Sequence, residues 1–308
     1  MSEKKSTRKA YGEALLNLGE KYDFWVLDGD LSKATMTNIF SDKYPERFFN
    51  MGISECDMMS TAAGIASCGK PVFASTFAMF AAGRAYEQVR NHIGYTRLNV
   101  KIGATHGGVL IGEDGGSHQC IEDLSLMRTI PGMTVLAPAD AVEAKAVVEA
   151  AIKHDGPVYM RFGRYDVPVI YEKDFEFEIG KGRTLTEGND ITVIAMGDMV
   201  YEAMKASKDL YREGIGARVI DMCSVKPVDV ELIVKAAKET GRIVTAEDHN
   251  IIGGLGSAVA EVLAENCPVP LRRIGIMDVF GRSGNPEDLA EYFGLNAKTI
   301  VEKAKELL

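Results

Sequence analysis

The sequence predicts an α/β protein of two domains, each a mostly parallel sheet flanked by helices. Short apolar runs alternate with helical patterns from end to end, which is typical of parallel strands joined by helices. The alternation breaks once, over residues 165–189. The length of 308 residues also suits two domains of about 150 residues each. We therefore expect a first domain over residues 1–166, a linker over 167–189 and a second domain over 190–308.

The first half contains five short apolar runs that predict buried strands, separated by helical patterns. The predicted strands are 24–27, 71–75, 98–103, 133–136 and 158–162. The predicted helices are 7–21, 54–67, 77–93 and a segment that starts at 138–140 and continues to 153. Because each strand is followed by a helical pattern, the strands are expected to run parallel.

The linker and the second half are predicted in the same way. Pro168 and the alternating run Asp174-Phe175-Glu176-Phe177-Glu178 indicate a linker with an irregular strand or two. Strands are then expected over 191–195, 217–220, 243–246 and 271–274. Helices are expected over 200–213 and 229–240, after the glycines at 253–256, and twice more at the end of the chain.

Charge and cysteine content exclude several classes of protein. The net charge of −9 argues against nucleic acid or an anionic membrane as the main partner, because both attract basic surfaces. The five cysteines are odd in number and form no Cys-x-x-Cys pair, so we expect reduced thiols. The first residues lack the apolar core of a signal peptide, and no apolar run is long enough to span a membrane. A cytoplasmic location is expected.

A glycine-rich segment over residues 105–119 is the strongest candidate for an active-site wall. It follows a predicted strand and combines glycines with His106, His118, Glu113 and Asp114. Glycine permits positive φ and a close approach by a ligand. Histidine and carboxylate side chains supply donors, acceptors and protons near neutral pH. A plain surface turn is the alternative, although it would not need so many titratable groups.

Five further residues, at three places in the chain, admit both a functional and a structural interpretation. Glu55 lies in the first turn of a helix that has almost no other charge. It either interacts favourably with the helix dipole, which is a structural role, or is a partly desolvated carboxylate in a functional site. Phe77 and Phe80 are spaced to emerge on one side of a helix, either in the core or as a ligand platform. Arg161 and Arg164 leave the last strand of the first half, where they bind an anion or form interdomain ion pairs.

Several of these residues belong to motifs that follow a fixed order and spacing. The motifs are Gly52-Ile53-Ser54-Glu55, Ser75-Thr76-Phe77 with Phe80, Thr105-His106, Gly112-Glu113-Asp114-Gly115 and His118-Gln119. They resemble the C-terminal half of transketolases, which are thiamine-diphosphate enzymes. The second half resembles that family by layout, through Ser224-Val225-Lys226-Pro227 and Glu247-Asp248-His249. The resemblance implies a pyrimidine-binding domain followed by a transketolase C-terminal domain.

The resemblance implies how the coenzyme's ring is bound. Glu55 would hydrogen-bond N1′ of the aminopyrimidine, as a neutral carboxyl that stabilises the imino tautomer. Phe77 and Phe80 would stack against this ring. Asp30 and Leu31 would approach the coenzyme from the other subunit's side.

The resemblance also implies the substrate-binding residues. His106, Asp114 and His118 would face the sugar, and with Glu55 the two histidines would be catalytic, assisting proton transfers at the sugar's C1 and C2 oxygens. The sugar phosphate would be bound by another group: Arg8 and Arg164, with Ser32 or Thr35 as hydroxyl partners.

Three departures from the family pattern affect these expectations. The usual Thr-His-Asp reads Thr105-His106-Gly107, and Gly83 or Arg84 stands where several members have a third aromatic residue. The family's Gly-Asp-Gly motif, with a downstream Asn, is absent, so no metal ligand is expected in this chain. We expect a partner, an N-terminal transketolase subunit that carries this motif and holds the diphosphate through Mg²⁺ or Ca²⁺. The predicted assembly is α₂β₂.

Two alternatives remain at the level of sequence. The first is another thiamine enzyme, the β subunit of a 2-oxo acid dehydrogenase E1 or a 1-deoxyxylulose-5-phosphate synthase-like protein. A pair of histidines around the glycine-rich segment suits a polyol substrate better, and Glu55-Cys56 differs from the Glu-Gln of those relatives. The second is a non-catalytic assembly subunit, which the nearly complete set of site residues argues against.

Overall fold

The computed structural model describes residues 3–172 and 174–308, and its elements confirm the predicted α/β alternation. The strands are β1 (Lys4–Lys5), β2 (Trp25–Asp28), β3 (Phe48–Asn50), β4 (Val72–Phe77), β5 (Val100–Thr105), β6 (Thr134–Leu136), β7 (Val158–Phe162), β8 (Val167–Pro168), β9 (Arg183–Thr186), β10 (Ile191–Ala195), β11 (Ala217–Asp221), β12 (Ser224–Lys226), β13 (Ile243–Asn250) and β14 (Leu271–Ile276).

Helices cover the faces of the sheets and bury their apolar sides. They are α1 (Thr7–Leu18), α2 (Ser32–Thr35), α3 (Asn38–Ser41), α4 (Glu55–Ser67), α5 (Tyr86–Gln88), α6 (Asp123–Arg128), α7 (Ala141–Lys153), α8 (Met199–Arg212), α9 (Val230–Thr240), α10 (Leu255–Asn266), α11 (Pro286–Phe293) and α12 (Ala297–Lys305). A 3₁₀ turn covers Pro45–Arg47. Pi-helical turns, Met79–Arg84 and Val89–Gly94, flank α5.

The first sheet aligns the strand ends that matter for the site. Its order is β12-β6-β7-β5-β4-β2-β3, and every neighbouring pair is parallel except β12 with β6. Phe77 pairs in register with Thr105, and Asp28 pairs with both Ser75 and Asn50. The carboxyl ends of β2, β3, β4 and β5 therefore meet along one edge.

The second sheet has the order β14-β13-β10-β11-β9, parallel except for the edge strand β9. Two strands lie in the segment we predicted as the linker: β8, which pairs with β1, and β9. The run over 174–178 does not form the strand that its alternation suggested. Phe175 and Phe177 instead pack into the apolar cluster of the first domain.

One prediction about an element is corrected by the structure, and a strand that was not predicted joins the first sheet. Residues 77–93 do not form one α-helix, because Phe77 is the last residue of β4 and the following segment alternates between π- and α-helical turns. The unpredicted strand is β12, which lies within the range expected for the second domain but pairs with β6 of the first sheet. One cluster of buried apolar residues accordingly contains Ile102 of the first sheet and Ile194 of the second.

Candidate active site

The candidate residues gather at the carboxyl edge of the first sheet, where open α/β sheets bind their ligands. Leu31 follows β2, Phe77 ends β4 and His106 follows β5 directly. Glu55 is the first residue of α4, which begins shortly after β3. Residues that are distant in sequence are thus brought together because their strands are neighbours.

Glu55 is buried at the mouth of α4, with 1% of its side chain exposed. Its Oε2 accepts a hydrogen bond from Nη1 of Arg84 at 2.7 Å. Arg84 is 47% exposed, and its guanidinium carbon lies 4.5 Å from the ring centroid of Phe80. In the sequence, Arg84 is distinguished only as a departure from the family pattern. Its place four residues after Phe80 was the available signal, since such pairs are neighbours on a helix.

Four aromatic rings surround the edge of the sheet beside Glu55. Phe77 and Phe80 stack with centroids 5.7 Å apart and an interplanar angle of 17°. His106 stacks on Phe77 at 3.8 Å, and the His118 ring meets Phe80 edge-on at 5.5 Å. Both phenyl rings therefore come together as expected, although the end of a strand and a π-helical turn place them, rather than one helix.

His106 is held in a left-handed backbone conformation with φ of 62° and is 2% exposed. Its Nδ1 lies 2.9 Å from Oγ1 of Thr105. Burial, reinforced by the positive charges of Arg8 and Arg164 and by His118, lowers the pKa of His106 to about 3. The imidazole is therefore neutral at pH 7 and offers one donor and one acceptor.

Arg8, Arg164 and Asp114 are joined in one network. Nε of Arg8 donates to the carbonyl of Arg164 at 2.9 Å. Nη1 of Arg164 donates to the carbonyl of Ile111 at 2.8 Å and lies 3.0 Å from Oδ1 of Asp114. Arg8 and Arg164 also line a cleft of about 660 Å³ between the two domains. Both arginines thus border the same cleft, and burial together with the positive charge of Arg164 lowers the pKa of Arg8.

The two hydroxyl candidates differ in their surroundings. Thr35 is fully buried, and its Oγ1 donates to Oδ2 of Asp28 at 2.7 Å. Ser32 is half-buried at the start of α2. This arrangement favours Ser32 as the hydroxyl partner. Asp28 itself is internal, and burial raises the pKa of its carboxyl despite the bonds from Thr35, Leu31 and Thr37.

Asp30 and Leu31 form the exposed turn after β2. Asp30 adopts a positive φ of 67° and accepts a hydrogen bond from Nδ2 of Asn50 at 2.8 Å. The amide of Leu31 donates to Oδ1 of Asp28 at 2.6 Å. The backbone of the turn is therefore held by its hydrogen bond to Asp28, while the Asp30 side chain faces solvent.

Asp248 of the second domain holds the glycine-rich segment in place, a role that the sequence analysis missed. Its two carboxylate oxygens accept from the amides of Val109 at 2.9 Å and Leu110 at 3.1 Å. Gln119 adds bonds from Nε2 to the carbonyls of Val109 and Arg282. The wall of the site is thus positioned by both domains.

Arg161 belongs to this interdomain support and not to the open site. It is 9% exposed and lies 3.0 Å from Oδ2 of Asp123. Its Nη2 donates to the carbonyls of Cys120 and Asp248. Arg161, within β7, therefore has the structural role that was the alternative, and Arg164, two residues after β7, remains the candidate for anion binding.

The residues present fit one part of a thiamine coenzyme. A buried acid beside stacked phenyl rings suits a flat heterocycle with hydrogen-bonding nitrogens, and Glu55, Phe77 and Phe80 supply that set. A diphosphate with its cation needs oxygen ligands. Within 3–172 and 174–308, no group of three or more His, Cys, Asp or Glu side chains could hold a metal ion.

Two family models together match most of the chain. The model described as "Transketolase, pyrimidine binding domain" matches residues 3–169, and "Transketolase, C-terminal domain" matches 180–300. In the same described part of the chain, no helix combines the length and apolar character that a bilayer crossing requires.

The chain matches relatives of about its own length and relatives that are about twice as long. A 6-deoxy-6-sulfo-D-fructose transketolase subunit from Clostridium sp. (strain MSTE9) is 44% identical, with 97% of this chain and 94% of that protein covered. Transketolase from Rattus norvegicus is 38% identical over 100% of this chain but 50% of its own length. A solved split gene transketolase, an inactive beta4 tetramer, superposes with a TM-score of 0.91 at 51% identity, covering 98% of each chain.

The fold and the site define a protein with the pyrimidine-binding and C-terminal domains of a thiamine-diphosphate enzyme. The chain belongs to the transketolase family, and it corresponds to the C-terminal section of a split transketolase.

Proposed function

We propose that this chain is the C-terminal subunit of a split transketolase that moves a two-carbon ketol unit between sugar phosphates. The observation that carries the proposal is the cluster of Glu55, Phe77 and His106 at one sheet edge. This cluster would bind the ring of thiamine diphosphate. Activity would require an N-terminal subunit, because single-chain rat transketolase is about twice as long as the part that matches here.

Glu55, Phe77 and Phe80 would hold the coenzyme's aminopyrimidine. The Glu55 carboxyl would hydrogen-bond N1′, and the two phenyl rings would exclude water from one face of the heterocycle. Asp30 and Leu31 would contact the coenzyme from the exposed turn after β2. When bound, thiamine diphosphate supplies a thiazolium carbon that carries the two-carbon unit.

The remaining residues would bind and orient the sugar phosphate. His106 and His118 would hydrogen-bond the hydroxyls and hold protons at the sugar's C1 and C2 oxygens, with Asp114 beside them. Arg8 and Arg164 would bind the phosphate, with Ser32 as the hydroxyl donor. Because His106 is neutral near pH 7, it would act by hydrogen bonding rather than by charge.

The partner would provide the Gly-Asp-Gly…Asn motif, with Mg²⁺ or Ca²⁺ on the diphosphate, in an α₂β₂ assembly. Two findings support it. Rat transketolase holds in one chain about twice the length that matches here, and the related split gene transketolase is inactive as a beta4 tetramer. The free cysteines of the described residues support a reducing, cytoplasmic location.

Replacement of the buried acid tests the function. In a complex reconstituted with the N-terminal subunit, Glu55→Gln should lower kcat for ketol transfer by about 100-fold or more, the usual range for lost proton-transfer assistance. Asp57→Asn, an exposed change on the same helix, is the matched control and should leave kcat unchanged.

The same assay separates the alternative functions. Ketol transfer between sugar phosphates would be measured beside decarboxylation of pyruvate. Turnover of pyruvate alone would favour the 2-oxo acid dehydrogenase or deoxyxylulose-phosphate synthase readings. Unchanged ketol transfer in Glu55→Gln would instead favour an assembly subunit.

A further inference from the structure

We propose that, until the coenzyme binds, the guanidinium of Arg84 occupies the place of the coenzyme's aminopyrimidine, and that it must move out when the coenzyme binds. The inference rests on the proposed function, since it concerns the same ring site. It assigns to Arg84 the role of an internal competitor that gates access to Glu55.

The contacts of Arg84 involve the same two side chains that the coenzyme's ring would need. Its Nη1 donates to Oε2 of Glu55 at 2.7 Å. The guanidinium carbon lies 4.5 Å from the centroid of Phe80, within the range of a cation–π contact. A guanidinium is flat, so it can occupy the space of an aminopyrimidine against the same acid and the same phenyl ring, although it donates to Glu55 whereas N1′ would accept from the neutral carboxyl.

The local backbone places Arg84 in this position. The π-helical turn Met79–Arg84 contains both Phe80 and Arg84 and ends with Arg84. Pi-helical turns occur frequently at functional sites. This turn places the side chain of Arg84 over the Phe80 ring and directs it toward Glu55, the first residue of α4.

The burial of the two partners differs, which makes the contact suitable for release. Glu55 is 1% exposed, whereas Arg84 is 47% exposed. A buried carboxyl needs a hydrogen-bond partner, because an unpaired buried polar group is costly. Arg84 supplies one, and it can return to water without disturbing the core once N1′ of the coenzyme takes its place at Glu55.

Titration of thiamine diphosphate into the reconstituted complex with Mg²⁺, followed by calorimetry and stopped-flow fluorescence, tests the inference. Arg84→Met keeps the length of the side chain and removes the competing donor. We expect about fivefold tighter binding, because the half-exposed guanidinium gains only modestly from its ion pair and its cation–π contact. The change should lie in a faster association rate, with dissociation unaltered.

Two further variants make the result interpretable. Arg90→Met, at an exposed arginine that bonds only its neighbour Asn91 among the described contacts, should leave the affinity unchanged. Arg84→Gln serves if Arg84→Met does not fold, and it should also bind more tightly than the wild type. Weaker or unchanged coenzyme binding in the Arg84 variants would overturn the inference.

The failure of the inference and the failure of the proposed function have different signatures. If Glu55→Gln weakens coenzyme binding while both Arg84 variants bind like the wild type, Arg84 is no competitor and the function stands. If the wild-type complex binds no thiamine diphosphate at all, the proposed function and the inference both fail.

Discussion

Arg161 explains why residue 107 is a glycine where the family's usual motif has an aspartate. A Cβ atom on Gly107 would lie 2.2 Å from Nε and 2.7 Å from Cγ of Arg161. Arg161 cannot move away cheaply, because Asp123 and the carbonyls of Cys120 and Asp248 hold it in the interior. The absence of a side chain at residue 107 is thus a consequence of interdomain packing.

Addition of one methyl group at this position should be destabilising. We expect Gly107→Ala to lower the free energy of unfolding by about 2 kcal/mol, as overpacking of a fixed interior does. Gly64→Ala is the control, because its Cβ would meet nothing within 4 Å on an exposed face of α4. It should stabilise the protein by about 0.5–1 kcal/mol. Urea unfolding measures both, and equal effects would contradict the packing explanation.

At the scale of elements, the glycine-rich segment depends on the second domain for its shape. Asp248, on β13, accepts from two successive amides of the segment. Gly108, with φ of 85°, leaves room for that carboxylate, since a Cβ there would lie 1.9 Å from its Oδ2. A loop of the first domain is therefore fixed by a strand of the second.

Asp248→Asn should loosen this attachment, because an amide has one acceptor oxygen and leaves one loop N–H facing a donor. The expected loss is about 2 kcal/mol of unfolding free energy, the cost of a buried group without its partner. Hydrogen exchange at Val109 and Leu110 should also become faster. Asp278→Asn, at an exposed position of the same domain, should change neither quantity. Slow exchange at both amides in Asp248→Asn would contradict the assignment.

At the scale of the whole molecule, acidic side chains meet where the two domains join. Asp221 ends β11 of the second sheet and accepts from the hydroxyl of Tyr171 at 2.7 Å. Glu143 of α7 in the first domain lies beside it and accepts from the amide of Ala139 at 2.7 Å. Burial raises the pKa of Asp221 and of Glu143. Both carboxyls therefore keep protons that the unfolded chain loses.

This raised pKa predicts how stability depends on pH. Above about pH 4 the unfolded chain releases these protons while the folded chain retains them, so their contribution to stability falls as the pH rises toward their folded values. Asp221→Asn removes one of the two carboxyls and reduces the upward shift in the pKa of Glu143. The stability of the variant relative to wild type should increase from pH 5 to pH 8. Asp209→Asn, on the surface of α8, should give a constant difference. A constant difference for Asp221→Asn would show that the pair does not titrate this way.

Local patterns in the sequence were sufficient to predict much of the fold. Buried strands such as β4, β5 and β10 appear as short apolar runs because both of their faces are covered. The ring and sugar candidates, Glu55, Phe77, His106 and His118, also stood out by residue type and spacing. Their convergence followed from the rule that parallel strands present their carboxyl ends at one edge.

The sequence by itself determined the α/β class, the two-domain layout, the family resemblance and the candidate site residues, because hydrophobic period and motif spacing are local properties. The tertiary structure alone decided that β12 joins the first sheet, that Thr35 is buried on Asp28 and that Arg161 excludes a side chain at residue 107. It also decided that Arg84 lies on Glu55 and Phe80. Each of these facts depends on which distant segments touch, and that is settled by packing in three dimensions rather than by any local pattern.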